Sequence, residues 1–189
     1  ADLYESLAFY EDRFADAGDY TFVFVGNIDP DRMRPLVERY LGALPSTGRQ
    51  ETWRDIGVRA PSGVIEETVN KGIEPRSQTR IAFTGPFDYE SQAERTGIRA
   101  MAMTLQERLF DYMREELGGT YSVSVSAGYN WRPEETYTLT ISFGSDPERT
   151  EELVQTVYDG IEALKTEGPS ETEVANTREA LLRAFETNF

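Results

Sequence analysis

Two hydrogen-bond-donating side chains, Arg114 and Tyr121, stand seven residues apart in the segment REELGGTYSVSVSA, residues 114–127. A guanidinium offers a rigid fork of N–H donors and a phenol offers an O–H, so both side chains donate hydrogen bonds. Gly118 and Gly119 between them let the chain reverse tightly, which would allow both polar tips to reach one spot. A second reading fits the same residues. Arginine in the last turn of a helix complements the helix dipole in any case, and Tyr121 shares strand parity with Val123, Val125 and Ala127, as a core anchor would. The other candidates are weaker. Ser122, Ser124 and Ser126 have no histidine or lysine base near them in sequence. Adjacent acids such as Glu66-Glu67, Glu115-Glu116 and Glu151-Glu152 direct their side chains apart and read as solvated surface. Gly118-Gly119 follows a helix pattern instead of opening one, so it is no phosphate-binding loop.

Composition narrows the chemistry further. The 189 residues contain neither histidine nor cysteine, so the commonest zinc ligands, the commonest general base and any thiolate nucleophile are missing. Only carboxylates remain for a metal, and they favour hard ions. With 34 Asp and Glu against 19 Lys and Arg, the net charge is −15, which argues against nucleic acid or an anionic membrane as a partner. No apolar run is long enough to span a bilayer. Only Lys71 and Lys165 are lysines, the other cations being arginines. That skew suits a salt-loaded cell, where screening relieves self-repulsion, and it equally fits an ordinary acidic surface.

The elements that must position Arg114 and Tyr121 can be read from periodicity. Leu3, Leu7, Tyr10 and Phe14 recur at helical spacing. Tyr20 to Val25 is an apolar run between glycines and predicts a strand covered on both faces. Asp29-Pro30 is a cap followed by a first-turn proline, opening a helix with the stripe Met33, Leu36, Val37, Tyr40, Leu41 and Leu44, and Pro35 interrupts it. Residues 45–62 form a polar connector. Strands are predicted at Val64–Val69 and Thr79–Thr84. A long helix over Ser91–Leu117 carries Ile98, Met101, Ala102, Leu105, Leu109, Tyr112 and Met113 in one sector, and Arg114 falls about 160° from the centre of that stripe. Strands at Tyr121–Tyr129 and Thr136–Phe143 follow, joined by a turn over Asn130–Glu135. Asp146-Pro147 then opens a helix with Leu153, Val154, Val157, Ile161 and Leu164 inward, and Ser170 with Glu173 forms a capping box for the last helix. The pattern predicts an α+β two-layer sandwich, its sheet largely antiparallel with helices on one face. A helix pattern is already running at Leu3, and the last helix meets no stop signal before Phe189. These ends predict that residues 1–189 form a single domain excised from a longer chain.

The segment 114–127 and the segment VGNIDPDRMRPLVERYLGALP, residues 25–45, occur in the order and spacing of a known family. The chain resembles the C-terminal-type domain of the pitrilysin/insulinase (M16) zinc peptidases, in particular the bacterial zinc-protease branch, over nearly its whole length. In that family a strand with V-G-D/N leads into a helix ending Y-L-G-x-L-P, and R-E-x-x-G-x-x-Y-S-V follows later. The resemblance implies that Arg114 and Tyr121 grip the substrate backbone and help stabilise the oxyanion, and that an extended peptide or unfolded protein is the substrate. It implies zinc in the full-length enzyme, bound by another domain, because the family's H-x-x-E-H motif is absent here and this chain alone would be inactive. Sister peptidase domains, on the same chain or on a partner subunit, would complete the site. The alternative reading is a non-catalytic core or scaffold subunit of the same fold that binds peptides without cutting them. A generic α+β interaction module remains if the resemblance is accidental. The compartment, bacterial periplasm or cytoplasm, is left open.

Overall fold

Strand β3, Thr136–Ser145, alternates apolar and polar residues, and the alternation sorts them onto two faces. Leu139, Ile141 and Phe143 are buried, Ile141 completely. In the computed structural model, which describes residues 2–117 and 122–187, β3 is the centre of a three-stranded antiparallel sheet. Strand β1, Ser77–Pro86, lies on one side with Ile81 opposite Ile141, and β2, Val123–Asn130, lies on the other with Val125 opposite the same residue. Ile81, Phe83, Val123, Val125 and Ala127 therefore share the apolar face with β3. Arg80, Thr84, Ser124, Ser126, Thr140 and Ser142 share the polar one.

Helices cover the apolar face. Helix α3, Gln92–Leu117, sets Ala102, Leu105, Leu109 and Met113 into the core at three- and four-residue spacing. Helix α4, Thr150–Glu167, adds Leu153 and Val157 and lets Gly160 approach Leu109 so closely that a Cβ there would stand 2.7 Å from Leu109 Cδ2. Asp146 caps the 3-10 turn Pro147–Arg149 that leads into α4. Helix α5, Glu171–Thr187, begins at the capping box read from the sequence. Ser170 Oγ accepts from the Glu173 N–H, and the Glu173 carboxylate accepts from the Ser170 N–H. The result is the expected α+β arrangement, with helices on one face of an antiparallel sheet.

By contact density the chain divides into two compact units, Ala1–Val58 and Arg59–Phe189. The sheet and α3 to α5 lie in the second. The first holds helices α1, Leu3–Phe14, and α2, Pro30–Tyr40. Asp29 caps α2 by accepting from the N–H groups of Asp31 and Arg32, with Pro30 at the first turn as expected. Buried Asp16 accepts from the N–H groups of Gly18, Thr47 and Arg49 and from the Thr47 hydroxyl, so one carboxylate ties the segment after α1 to the one after α2. Those donors hold it well below the usual carboxylate range, the Thr47 hydroxyl contributing most.

Two expected strands are not formed. Tyr20–Val25 and Val64–Val69 have no ladder partner, and Val25, Val64 and Val69 are exposed. Tyr20 instead stacks on Phe14 and donates its hydroxyl to the Arg13 carbonyl. A helix closes its hydrogen bonds within the segment, whereas a strand exists only when a second segment offers an edge. Beta-favouring composition alone therefore does not make a strand.

Candidate functional site

The site begins at the last turn of α3. Met113 points into the core with 1% of its surface exposed, so its neighbour Arg114 is carried to the solvent side, as the helical wheel predicts. The Arg114 side chain is 59% exposed. Its Nη2 lies 3.8 Å from Asp111 Oδ1, and its guanidinium carbon stands 5.9 Å from the centre of the Phe110 ring. At 3.8 Å the carboxylate is beyond hydrogen-bonding reach, and an exposed pair of this kind holds a side chain weakly. The fork therefore keeps its donors available while Phe110 and Asp111, one helical turn back, bias its direction. Neither partner was singled out by motif, although the i, i+3 and i, i+4 spacings to Arg114 were visible in the sequence.

Tyr121 lies outside the described residues, as do Gly118, Gly119 and Thr120. What the structure supplies is the frame on either side. Gln106 of α3 places its Oε1 3.0 Å from the Val125 N–H and accepts from it. Val123 is buried against the α3 side chains. The middle of α3 and the first residues of β2 are thus joined by a polar and an apolar contact.

The remaining candidates stay where surface residues belong. Ser124 and Ser126 face away from the helices, opposite Ser142 and Thr140. Glu152 pairs with Arg149, at 2.9 and 3.0 Å, and Arg149 lowers the pKa of its carboxyl. The side chains of Glu115 and Glu116 lie outside the described residues. Among the described residues no group of three or more acidic, histidine or cysteine side chains is placed to hold a metal ion. With no histidine or cysteine in the chain, this donor set does not fit a catalytic zinc.

Comparison with known proteins places this arrangement. Residues 2–181 match the family model described as the peptidase M16 inactive domain. The chain is 27% identical over 199 residues to the zinc protease PQQL-like of Arabidopsis thaliana, covering 98% of this chain and 21% of that protein. It is 26% identical over 149 residues to the probable zinc protease PqqL of Haemophilus influenzae, covering 76% of this chain and 15% of the other. Its fold is similar to part of the crystal structure of the periplasmic protease PqqL from Escherichia coli, with a TM-score of 0.69 at 23% identity over 86% of this chain and 18% of that one. The fold and the sequence together define a peptidase-type α+β domain. The chain belongs to the peptidase M16 inactive-domain family. It spans about one fifth of the length of the curated relatives it matches.

Proposed function

We propose that this chain is the non-zinc-binding, C-terminal-type domain of a zinc metalloendopeptidase, where it forms one wall of the substrate chamber and positions an extended peptide. Arg114 and Tyr121 would donate hydrogen bonds to the peptide backbone and to the oxygen that gains negative charge as the bond is cleaved. The observation that carries the reading is the exposed, weakly held Arg114 fork at the end of α3, seven residues before Tyr121, with both inside the span matched by the family model. The metal and its ligands belong to another domain of the longer protein or to a partner subunit. The similarity to a protein described as a periplasmic protease supports a bacterial periplasmic setting.

The reading is tested on the full-length protein. Peptide cleavage should be abolished by chelation and absent from the 189-residue chain alone. Arg114→Ala should lower kcat/KM by about 10-fold or more, the scale of one charge-assisted hydrogen bond, while Asp111→Ala leaves it near the parent value. An Arg114→Ala enzyme with unchanged kcat/KM would remove Arg114 from the site. A full-length protein that binds peptides and cleaves none would favour the scaffold reading.

A further inference from the structure

Strand β2 is an edge strand, paired with β3 and with no second strand among the described residues. At Val125 its backbone N–H donates to a side chain instead, Gln106 Oε1 of α3, at 3.0 Å. This bond differs in kind from the other contacts of α3 with the sheet. Leu105, Leu109 and Met113 hold by burial, which is non-directional and constrains rotation of the helix about its axis less sharply. A hydrogen bond weakens steeply away from its preferred direction, so it fixes that rotation. Gln106, Phe110 and Arg114 follow one another at four-residue steps, about 40° apart on the helical wheel, and the Phe110 ring centre stands 5.9 Å from the Arg114 guanidinium carbon. The flank that Gln106 anchors to β2 therefore leads, two turns on, to the exposed guanidinium.

We propose that Gln106 is a positioning residue for Arg114: by accepting from the Val125 N–H it sets the rotation of α3 against β2, and so the place from which the guanidinium reaches substrate. The proposal rests on the reading of Arg114 as a substrate-contacting group. Strand β2 is a firm reference, because Val123 and Val125 are buried in the core and lie opposite Phe143 and Ile141 of the central strand. Rotating a helix by about 10° carries a side-chain tip at its rim, about 6 Å from the axis, through about 1 Å. Groups that bind or act on substrate must be held to about 0.5 Å, so a turn of that size matters. Gln106 acts through Arg114, and removing its acceptor can therefore cost no more than removing the guanidinium.

Peptide cleavage by the full-length protein tests this. Gln106→Leu, which keeps helix propensity and loses the acceptor, should lower kcat/KM by about 3- to 10-fold, no more than Arg114→Ala does. Gln106→Glu keeps a side-chain oxygen at the same reach and should stay near the parent value. In an Arg114→Ala background Gln106→Leu should bring no further loss, because no guanidinium is left to position. The Val125 amide of the 189-residue chain should exchange faster in Gln106→Leu, which reads the contact itself without reference to activity. Parent-level cleavage by Gln106→Leu, where Arg114→Ala is impaired, would overturn the assignment and leave the peptidase reading intact. So would a Gln106→Leu loss as large without Arg114 as with it, the mark of a purely structural role. Arg114→Ala at the parent rate would instead retire the reading of the site, and the role of Gln106 with it.

Discussion

Arg108 and Glu173 are paired across 65 residues of sequence, joining the middle of α3 to the first turn of α5. Arg108 Nη2 lies 2.8 Å from Glu173 Oε2 and 2.8 Å from the Gly168 carbonyl, and Nε donates to Glu173 Oε1. The two side chains are 12% and 16% exposed. Glu173 also serves the capping box, so one carboxylate starts α5 and fixes it to α3.

Removing one member of such a pair leaves the other poorly solvated. Glu173→Ala should lower the unfolding free energy by about 2 kcal/mol, less than a fully buried pair costs because some water reaches it. Urea denaturation of the 189-residue chain checks this. A loss within the usual surface range of about 0.5 kcal/mol would show that the pair is incidental.

Acid should act on the same contact. The Arg108 guanidinium, with help from the Ser170 N–H, holds the Glu173 carboxyl at about 2 against an ordinary 4.5, overcoming the opposing effect of burial. A carboxylate favoured by folding contributes fully above its ordinary value, and the contribution disappears as pH falls from about 4.5 towards 2. Asp16, held low by Thr47, Gly18 and Arg49, shifts stability in the same direction. Denaturation at stepped pH should therefore show stability falling below pH 4.5, with Glu173→Gln flattening part of that fall. An unchanged slope in the variant would contradict the assignment.

Two glycines inside helices should respond oppositely to alanine. At Gly97 of α3 a Cβ meets nothing within 4 Å, so Gly97→Ala should stabilise the 189-residue chain by about 0.5–1 kcal/mol through helix propensity alone. At Gly160 the same Cβ meets completely buried Leu109, and overpacking should outweigh propensity to leave a net loss of about 1 kcal/mol. Thermal unfolding of both variants decides it, and shifts of the same sign would be the contrary result.

The sequence showed most plainly those elements whose bonds close locally. The Asp29-Pro30 start, the α3 stripe and the Ser170/Glu173 box all appear where spacing puts them, because a helix and its cap need only neighbouring residues. Thr136–Phe143 was legible as a strand because its alternation matches a half-buried pleat, and Thr79–Thr84 likewise lies within β1. Tyr20–Val25 and Val64–Val69 were read as strands from composition and are not, since pairing depends on a distant partner that composition does not record. The same locality governs the site. The outward direction of Arg114 followed from the helical wheel, whereas Arg108 with Glu173 and Gln106 with Val125 are long-range contacts that no motif announced.

The charge balance yields a prediction about salt. A net charge of −15 destabilises the folded chain by self-repulsion, and ions screen it. If the acidic, lysine-poor surface reflects adaptation to a salt-loaded cell, the thermal midpoint should rise between low and molar KCl. A midpoint that stays constant or falls would leave the surface as merely acidic.

The role proposed for this domain is to supply oxyanion and backbone donors to a peptidase completed elsewhere. Its most direct test is kcat of the full-length enzyme carrying Tyr121→Phe, which removes one hydroxyl and nothing else. A lost oxyanion donor acts mainly in the transition state, so kcat should fall by about 10²-fold or more with KM little changed. Turnover equal to that of the parent enzyme would contradict the role assigned to Tyr121 and, with it, the account of the site.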